Sequence, residues 1–202
     1  TKFINSFEGG AIVTNNDILA NKTRSMINFG FKGYDNVVGL GTNAKMTEAA
    51  AAMGLTSLDA LEEFTEINIR NYDTYSTELA GIPGVQLIPY DGSEKNNYQY
   101  IVVEIDSRQT FLTRDHLNDI LHAEKVLSRR YFYPGCHQME PYRTLYPEAN
   151  SHLPFTNELV TRTLILPNGT SVSQEDIHVI CQIIRLAVTN GYEVTRRLSV
   201  QP

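Results

Sequence analysis

What this 202-residue chain lacks narrows its class before any motif is read. Its two cysteines, Cys136 and Cys181, are far apart and match no metal-ligand spacing, so neither a disulfide framework nor a zinc site is written in it. Free thiols in a reducing compartment are expected, with the cytoplasm as the default location. There is no block of lysine or arginine, and the formal charge is -6. Affinity for polynucleotides rests on clustered cations that neutralise phosphates, so a nucleic-acid partner is not expected, while small anionic ligands are compatible. No apolar run is long enough to cross a bilayer and no charged-then-apolar leader opens the chain, so no membrane partner is expected either. Internal repeats and low-complexity tracts are also missing. Glu8-Gly9-Gly10 lacks the Gly-x-Gly-x-x-Gly spacing and a basic partner, and reads as a place of backbone crowding with no ligand role for its side chains. The chain opens on Thr1-Lys2 with no methionine, so a preceding segment is expected.

What is present reads as alternating helix and strand. Residues 11–14 form a short apolar, β-branched run entered through Gly9-Gly10, which predicts a buried strand. Asn15-Asn16-Asp17 offers cap chemistry, and Leu19, Met26 and Ile27 mark the apolar face of a helix ending near Gly30. Residues 29–42, rich in Gly, Asn and Tyr without a period, read as an ordered loop. The alanine run of GTNAKMTEAAAAMG predicts a helix, with Asn43 just ahead of it as a candidate cap. Leu58, Leu61, Phe64, Ile67, Tyr72, Tyr75 and Leu79 predict a second, long helix, which Gly81-Ile82-Pro83-Gly84 stops; this helix is the expected hinge between two lobes.

Beyond it, residues 85–88 and 100–105 read as strands around a polar loop, and Thr113 opens a helix carrying Leu117, Ile120 and Leu121. Residues 131–154 are irregular and rich in proline and tyrosine. Residues 163–166 read as a strand running into the turn Pro167-Asn168-Gly169. Ser173 and Asp176 approximate a capping box for a last helix whose stripe is Ile177, Ile180, Ile184 and Val188, with Gly191 as its stop. These elements make a compact α+β lobe.

Read as a set, TKFINSFEGGAIVTN, GTNAKMTEAAAAMGL and RRYFYPGCHQMEPYR resemble the DegT/DnrJ/EryC1/StrS sugar aminotransferases. These are fold-type I enzymes, dependent on pyridoxal 5′-phosphate, that act on nucleotide-linked keto sugars in amino-sugar, polysaccharide or secondary-metabolite biosynthesis. The resemblance runs along the chain but spans the C-terminal half of the family's length. Its third stretch is most similar to members that aminate C4 of a dTDP-linked 4-keto-6-deoxy sugar. The implied fold class is α/β: the end of the large-domain sheet, a long linking helix and a small α+β C-terminal lobe. The implied domains are residues 1–58, the last part of the large cofactor-binding domain, and residues 59–202, the small domain.

The resemblance also assigns residues. Thr1-Lys2 resembles the end of a Ser-x-His-x-Thr-Lys motif, which makes Lys2 the catalytic and cofactor-binding amine. Such an amine forms an imine with the cofactor aldehyde and then moves a proton between the substrate carbon and the cofactor C4′, both of which need it neutral. Members with histidine here resemble dehydratases, so lysine favours transamination. Asn43 resembles a phosphate ligand that reaches across a homodimer to the neighbouring subunit's cofactor, at a helix start where free N–H groups and the dipole favour anions. Lys45 stands where many members carry arginine and lacks the bidentate fork, so it stays outside the site. His137 and Tyr133 are the implied substrate-binding residues, for a sugar ring or a diphosphate, with Arg129, Arg130 and Arg143 as alternatives for the diphosphate.

Read from the residues alone, Lys2 is a solvated terminus, and Tyr133 and His137 pack their loop against its lobe. His116, His122, His152 and His178 are not spaced as metal ligands, and no metal is expected. The family's aspartate for the pyridine nitrogen, its ring-stacking side chain and its phosphate-binding helix lie upstream of the lysine motif, outside this chain. The chain by itself is therefore expected to bind the cofactor poorly and to be inactive, as a fragment of a transaminase for a nucleotide-sugar substrate and an amino acid donor. The competing expectations are a stand-alone remnant serving dimerisation or nucleotide-sugar binding, and an unrelated α/β domain.

Overall fold

The computed structural model describes residues 4–198. The chain divides into two compact units, Thr1–Glu63 and Phe64–Pro202. In the first unit, α1 (Asp17–Met26) starts where the Asn16 side-chain oxygen accepts from the Leu19 N–H at 3.0 Å, as the cap chemistry predicts. The segment after it folds back on itself. Phe29 N–H donates to Thr42 O, Val38 N–H donates to Gly30 O, and Asn28 and Asn43 form an isolated bridge. The backbones approach so closely that a Cβ on Gly30 would sit 1.9 Å from Gly39 O, and one on Gly41 would sit 2.2 Å from Gly30 N. The expected ordered loop is held by these contacts.

α2 (Glu48–Asp59) is capped by Thr47, whose hydroxyl accepts from Ala50 N–H at 3.2 Å. Asn43 therefore does not cap this helix, because it lies too far ahead of Glu48 for its side chain to reach the free N–H groups of the first turn. Residues 11–14 are also not a strand, and Val13 is 93% exposed. A strand needs a neighbour to satisfy its backbone groups, and among the described residues the one sheet is built entirely from later segments.

α3 (Leu61–Leu79) leads into the second unit. There follow β1 (Val85–Leu87), β2 (Ile101–Ile105), the single turn α4 (Ser107–Thr110) and α5 (Arg114–Ala123). A 3-10 turn at Cys136–Gln138 precedes α6 (Tyr142–Leu145), α7 (Ala149–His152) and α8 (Pro154–Arg162). β3 (Thr163–Leu166), α9 (Gln174–Thr189) and α10 (Gly191–Leu198) complete the unit. The strands run antiparallel in the order β1-β2-β3, with Gln86 opposite Glu104 and Val103 opposite Leu164.

Ile101, Val103 and Ile105 of β2 are buried and the residues between them half-buried, the period-two pattern of a sheet with one face on a core. Tyr75 and Leu79 of α3, Leu117 and Leu121 of α5, and Ile177, Ile180, Ile184 and Val188 of α9 fill that core. The whole predicted stripe of α9 is thus buried, and its capping box is formed: Ser173 Oγ accepts from Asp176 N–H at 3.1 Å and the carboxylate accepts from Ser173 N–H at 2.9 Å.

Two local expectations are corrected. Gly191 does not stop the helical run: Asn190 ends α9, and Gly191 begins α10. The glycine is there for space, since a Cβ would fall 2.0 Å from Thr110 O. The stretch 131–154 is not irregular throughout, for it contains the 3-10 turn, α6 and α7, and Pro154 opens α8 at a first-turn position where its missing N–H is not needed.

Candidate functional site

Lys2 lies outside the described residues. Asn43 is exposed at the end of the folded-back loop, where its backbone pairs with Asn28 and its side chain makes no hydrogen bond among the described residues. The residues just after it, Ala44 to Thr47, line a cleft of about 880 Å³ together with Glu8, Gly9 and the Arg24 face of α1. The expected backbone crowding is not found there among the described residues: a Cβ on Gly9 would lie 2.6 Å from two side-chain atoms, Met46 Cε and Ser6 Oγ, and one on Gly10 would meet nothing within 4 Å. Lys45 turns back to its own loop, with Nζ 3.4 Å from Asn28 Oδ1 and 4.5 Å from the centre of the Phe29 ring.

His137 and Tyr133 belong to the second unit. The 3-10 turn places the His137 ring against Gly135, where a Cβ would be 2.8 Å from His137 Cε1. His137 Nε2 is 2.7 Å from Asn157 Oδ1, which also accepts from Gln138 Nε2 at 2.8 Å. Asn157 in turn donates to Asn150 O at 2.7 Å. Because Asn157 Oδ1 is an acceptor, the proton sits on Nε2, and in the neutral ring Nδ1 is the nitrogen that can accept from a ligand. The imidazole is therefore oriented by α8 and is half-buried.

Tyr133 is 42% exposed, and its hydroxyl makes no hydrogen bond among the described residues. Its ring faces two guanidinium groups, with the Arg114 Cζ 5.0 Å and the Arg130 Cζ 5.3 Å from its centre. Of the arginines that could meet a diphosphate, Arg143 is held by Glu140 at 2.9 and 2.6 Å. The Thr144 hydroxyl and then Arg143 hold that carboxyl below its ordinary range. Arg130 donates to Asp115 at 3.0 Å, and Arg129 lies over the Tyr131 ring at 5.9 Å.

Sequence reasoning missed Asp115, Arg114 and Asn157. An arginine in the first turn of an amphipathic helix reads as solvated, whereas Arg114 is 1% exposed and donates through Nη1 to Thr163 O at 2.7 Å. The one available signal was Asp115, an acidic residue directly after Arg114 in a Thr-Arg-Asp helix start. Among the described residues no group of three or more His, Cys, Asp or Glu side chains could hold a metal, and no helix is long and apolar enough to cross a membrane.

The model of the DegT/DnrJ/EryC1/StrS aminotransferase family matches residues 1–185, and the chain belongs to that family. It is 29% identical over 185 residues to dTDP-4-amino-4,6-dideoxy-D-glucose transaminase of Shigella dysenteriae, covering 92% of this chain and 50% of the relative. The transaminase of the same name from Escherichia coli is 31% identical over 179 residues, 89% of this chain and 48% of the relative. Among solved structures, DesI in the presence of its TDP-sugar product superimposes with a TM-score of 0.87 at 47% identity, over 98% of this chain and 50% of that one. DesV of S. venezuelae shares the fold, with a TM-score of 0.77 at 22% identity over 87% of this chain and 46% of that one. The chain thus spans about half the length of its relatives and has the mixed helix-and-sheet fold of their C-terminal portion.

Proposed function

We propose that this chain is the C-terminal part of a pyridoxal-phosphate-dependent transaminase that aminates a nucleotide-linked 4-keto-6-deoxyhexose, with an amino acid as donor, in the cytoplasm. The observation that carries the reading is the likeness to DesI, 47% identity and a TM-score of 0.87 across 98% of the chain. In this reading residues 1–58 complete the large cofactor-binding domain and residues 59–202 are the small domain.

The described residues fit one end of the cofactor. Asn43 offers a side-chain amide unengaged by its own loop, suited to a phosphate oxygen of the cofactor in a second subunit of a homodimer. Bound pyridoxal phosphate supplies an aldehyde that takes up an amino group and a conjugated ring that delocalises negative charge. Lys2 Nζ carries the proton between the substrate carbon and the cofactor, which requires an amine kept neutral by its surroundings. His137 accepts through Nδ1, and Tyr133 donates its hydroxyl, toward the sugar or the diphosphate.

The full-length protein containing this chain is expected to convert a dTDP-linked 4-keto-6-deoxy sugar and glutamate to the amino sugar, with borohydride trapping the cofactor on Lys2. Lys2→Ala is expected to abolish both. The 202-residue chain alone is expected to give neither a stable coloured complex nor turnover. Turnover by the chain alone would overturn the assignment of the remaining cofactor contacts to a missing part. A free-standing binding or dimerisation module, the competing reading, would have to hide apolar side chains such as Val13 and Leu40, 93% and 92% exposed, by self-association, which sedimentation would detect.

A further inference from the structure

The Arg114 side chain is fully buried, yet its Nη2 has no hydrogen-bond acceptor. A buried guanidinium N–H left unmatched is costly, so something near it has to answer its charge. Nε is answered by Asp115 Oδ1 at 3.0 Å, and Nη1 is answered by Thr163 O at 2.7 Å. What remains is the Tyr133 ring beneath Cζ at 5.0 Å, whose face carries the negative end of the aromatic quadrupole. The same Asp115 oxygen also accepts from Arg130 Nη1 at 3.0 Å, and the Arg130 Cζ lies 5.3 Å from the same ring. One carboxylate oxygen therefore fixes two guanidinium groups, and both lie against one tyrosine. A lysine in place of Arg114 could not meet a carboxylate, a carbonyl and a ring together, because its ammonium is a point charge without a planar fork.

We propose that Asp115, acting through Arg114 and Arg130, is a positioning residue that holds the ring of the part-exposed Tyr133 so that its hydroxyl is presented to the nucleotide-sugar substrate already ordered. This rests on the reading of Tyr133 as a substrate contact. Ordering the side chain before binding removes an entropy cost from association, so the effect belongs in KM, with kcat left alone.

The test is a double-mutant cycle in the full-length transaminase, with a dTDP-linked 4-keto-6-deoxy sugar as the varied substrate. Asp115→Asn and Arg130→Gln are each expected to raise KM about fivefold and to leave kcat within about twofold, the scale of one partly exposed cation–π contact. Arg130→Gln keeps every partner of the buried Arg114, so it reports even where Asp115→Asn folds poorly. Tyr133→Phe, which keeps the ring and loses the hydroxyl, is expected to raise KM by itself and to make Arg130→Gln silent when the two are combined. If Tyr133→Phe leaves KM unchanged, the substrate-contact reading fails and takes the positioning role with it. If Tyr133→Phe raises KM but Arg130→Gln does not, or if the two effects simply add, the positioning role alone is overturned.

Discussion

At the scale of single residues, Asn71 shows how much one buried amide can decide. Its side chain is fully buried, and Nδ2 donates to Asn168 Oδ1 at 3.0 Å and Gly169 O at 3.3 Å, while the neighbouring Tyr75 hydroxyl donates to Pro167 O at 3.0 Å. Together they pin the turn before α9 onto α3. Asn71→Leu would leave the part-buried Asn168 Oδ1 and Gly169 O without this donor, and a loss of about 1–3 kcal/mol is expected in urea unfolding. In the sequence this asparagine is a polar residue within the apolar stripe of α3, four residues from both Ile67 and Tyr75; its role is invisible because its partner lies 97 residues away. Cys181 carries a second prediction. Burial, followed by the charge of Glu78, pushes its thiol up to about 12, so it stays protonated and shielded at pH 8, whereas Cys136 is exposed. A thiol reagent should titrate one sulfur in the native chain and both in denaturant. Two reactive thiols in the native state would show that the α9 core opens.

Among the elements, α9 is the most legible. The Ser173–Asp176 box and the buried stripe were readable because capping and helical periodicity act within a few residues. Ser173→Ala is expected to cost about 1 kcal/mol, measured by chemical denaturation. The Ser173 hydroxyl, and then its backbone N–H, lower the Asp176 carboxyl below its ordinary value. Its contribution is therefore complete above the unfolded pKa of about 4 and fades as pH falls through the lower folded value. Acid titration of the denaturation midpoint should show that fade, and Asp176→Asn should flatten it. Gly191→Ala, which places a methyl against Thr110 O, is expected to destabilise by about 1–3 kcal/mol, where a helix-stop role would have made it far milder. The run at residues 11–14 misled because β-branched composition describes a surface that wants a neighbour, and composition alone does not supply one.

For the whole molecule, the uneven distribution of burial is the controlling feature. Every buried apolar side chain among the described residues falls between Tyr75 and Val188, while Ile12, Val13, Ile18 and Leu40 of the first unit stand largely in solvent. Local stability follows buried apolar contact, so limited proteolysis of the chain should cut first within residues 4–63 and leave a resistant core beginning near residue 64. Mass spectrometry of the fragments checks this; early cleavage within β2 or α9 would contradict it. By itself the sequence determined the N-terminal caps of α1, α5 and α9, the alternation of β2, the stripe of α9 and the family to which the chain belongs, because all of these are patterns of neighbouring residues. Only the tertiary structure decided that Arg114 is buried against Tyr133, that His137 is oriented by Asn157, and that Asn71 holds a distant turn. Each of those depends on a partner brought close by the sheet and its covering helices, and no local pattern encodes that proximity.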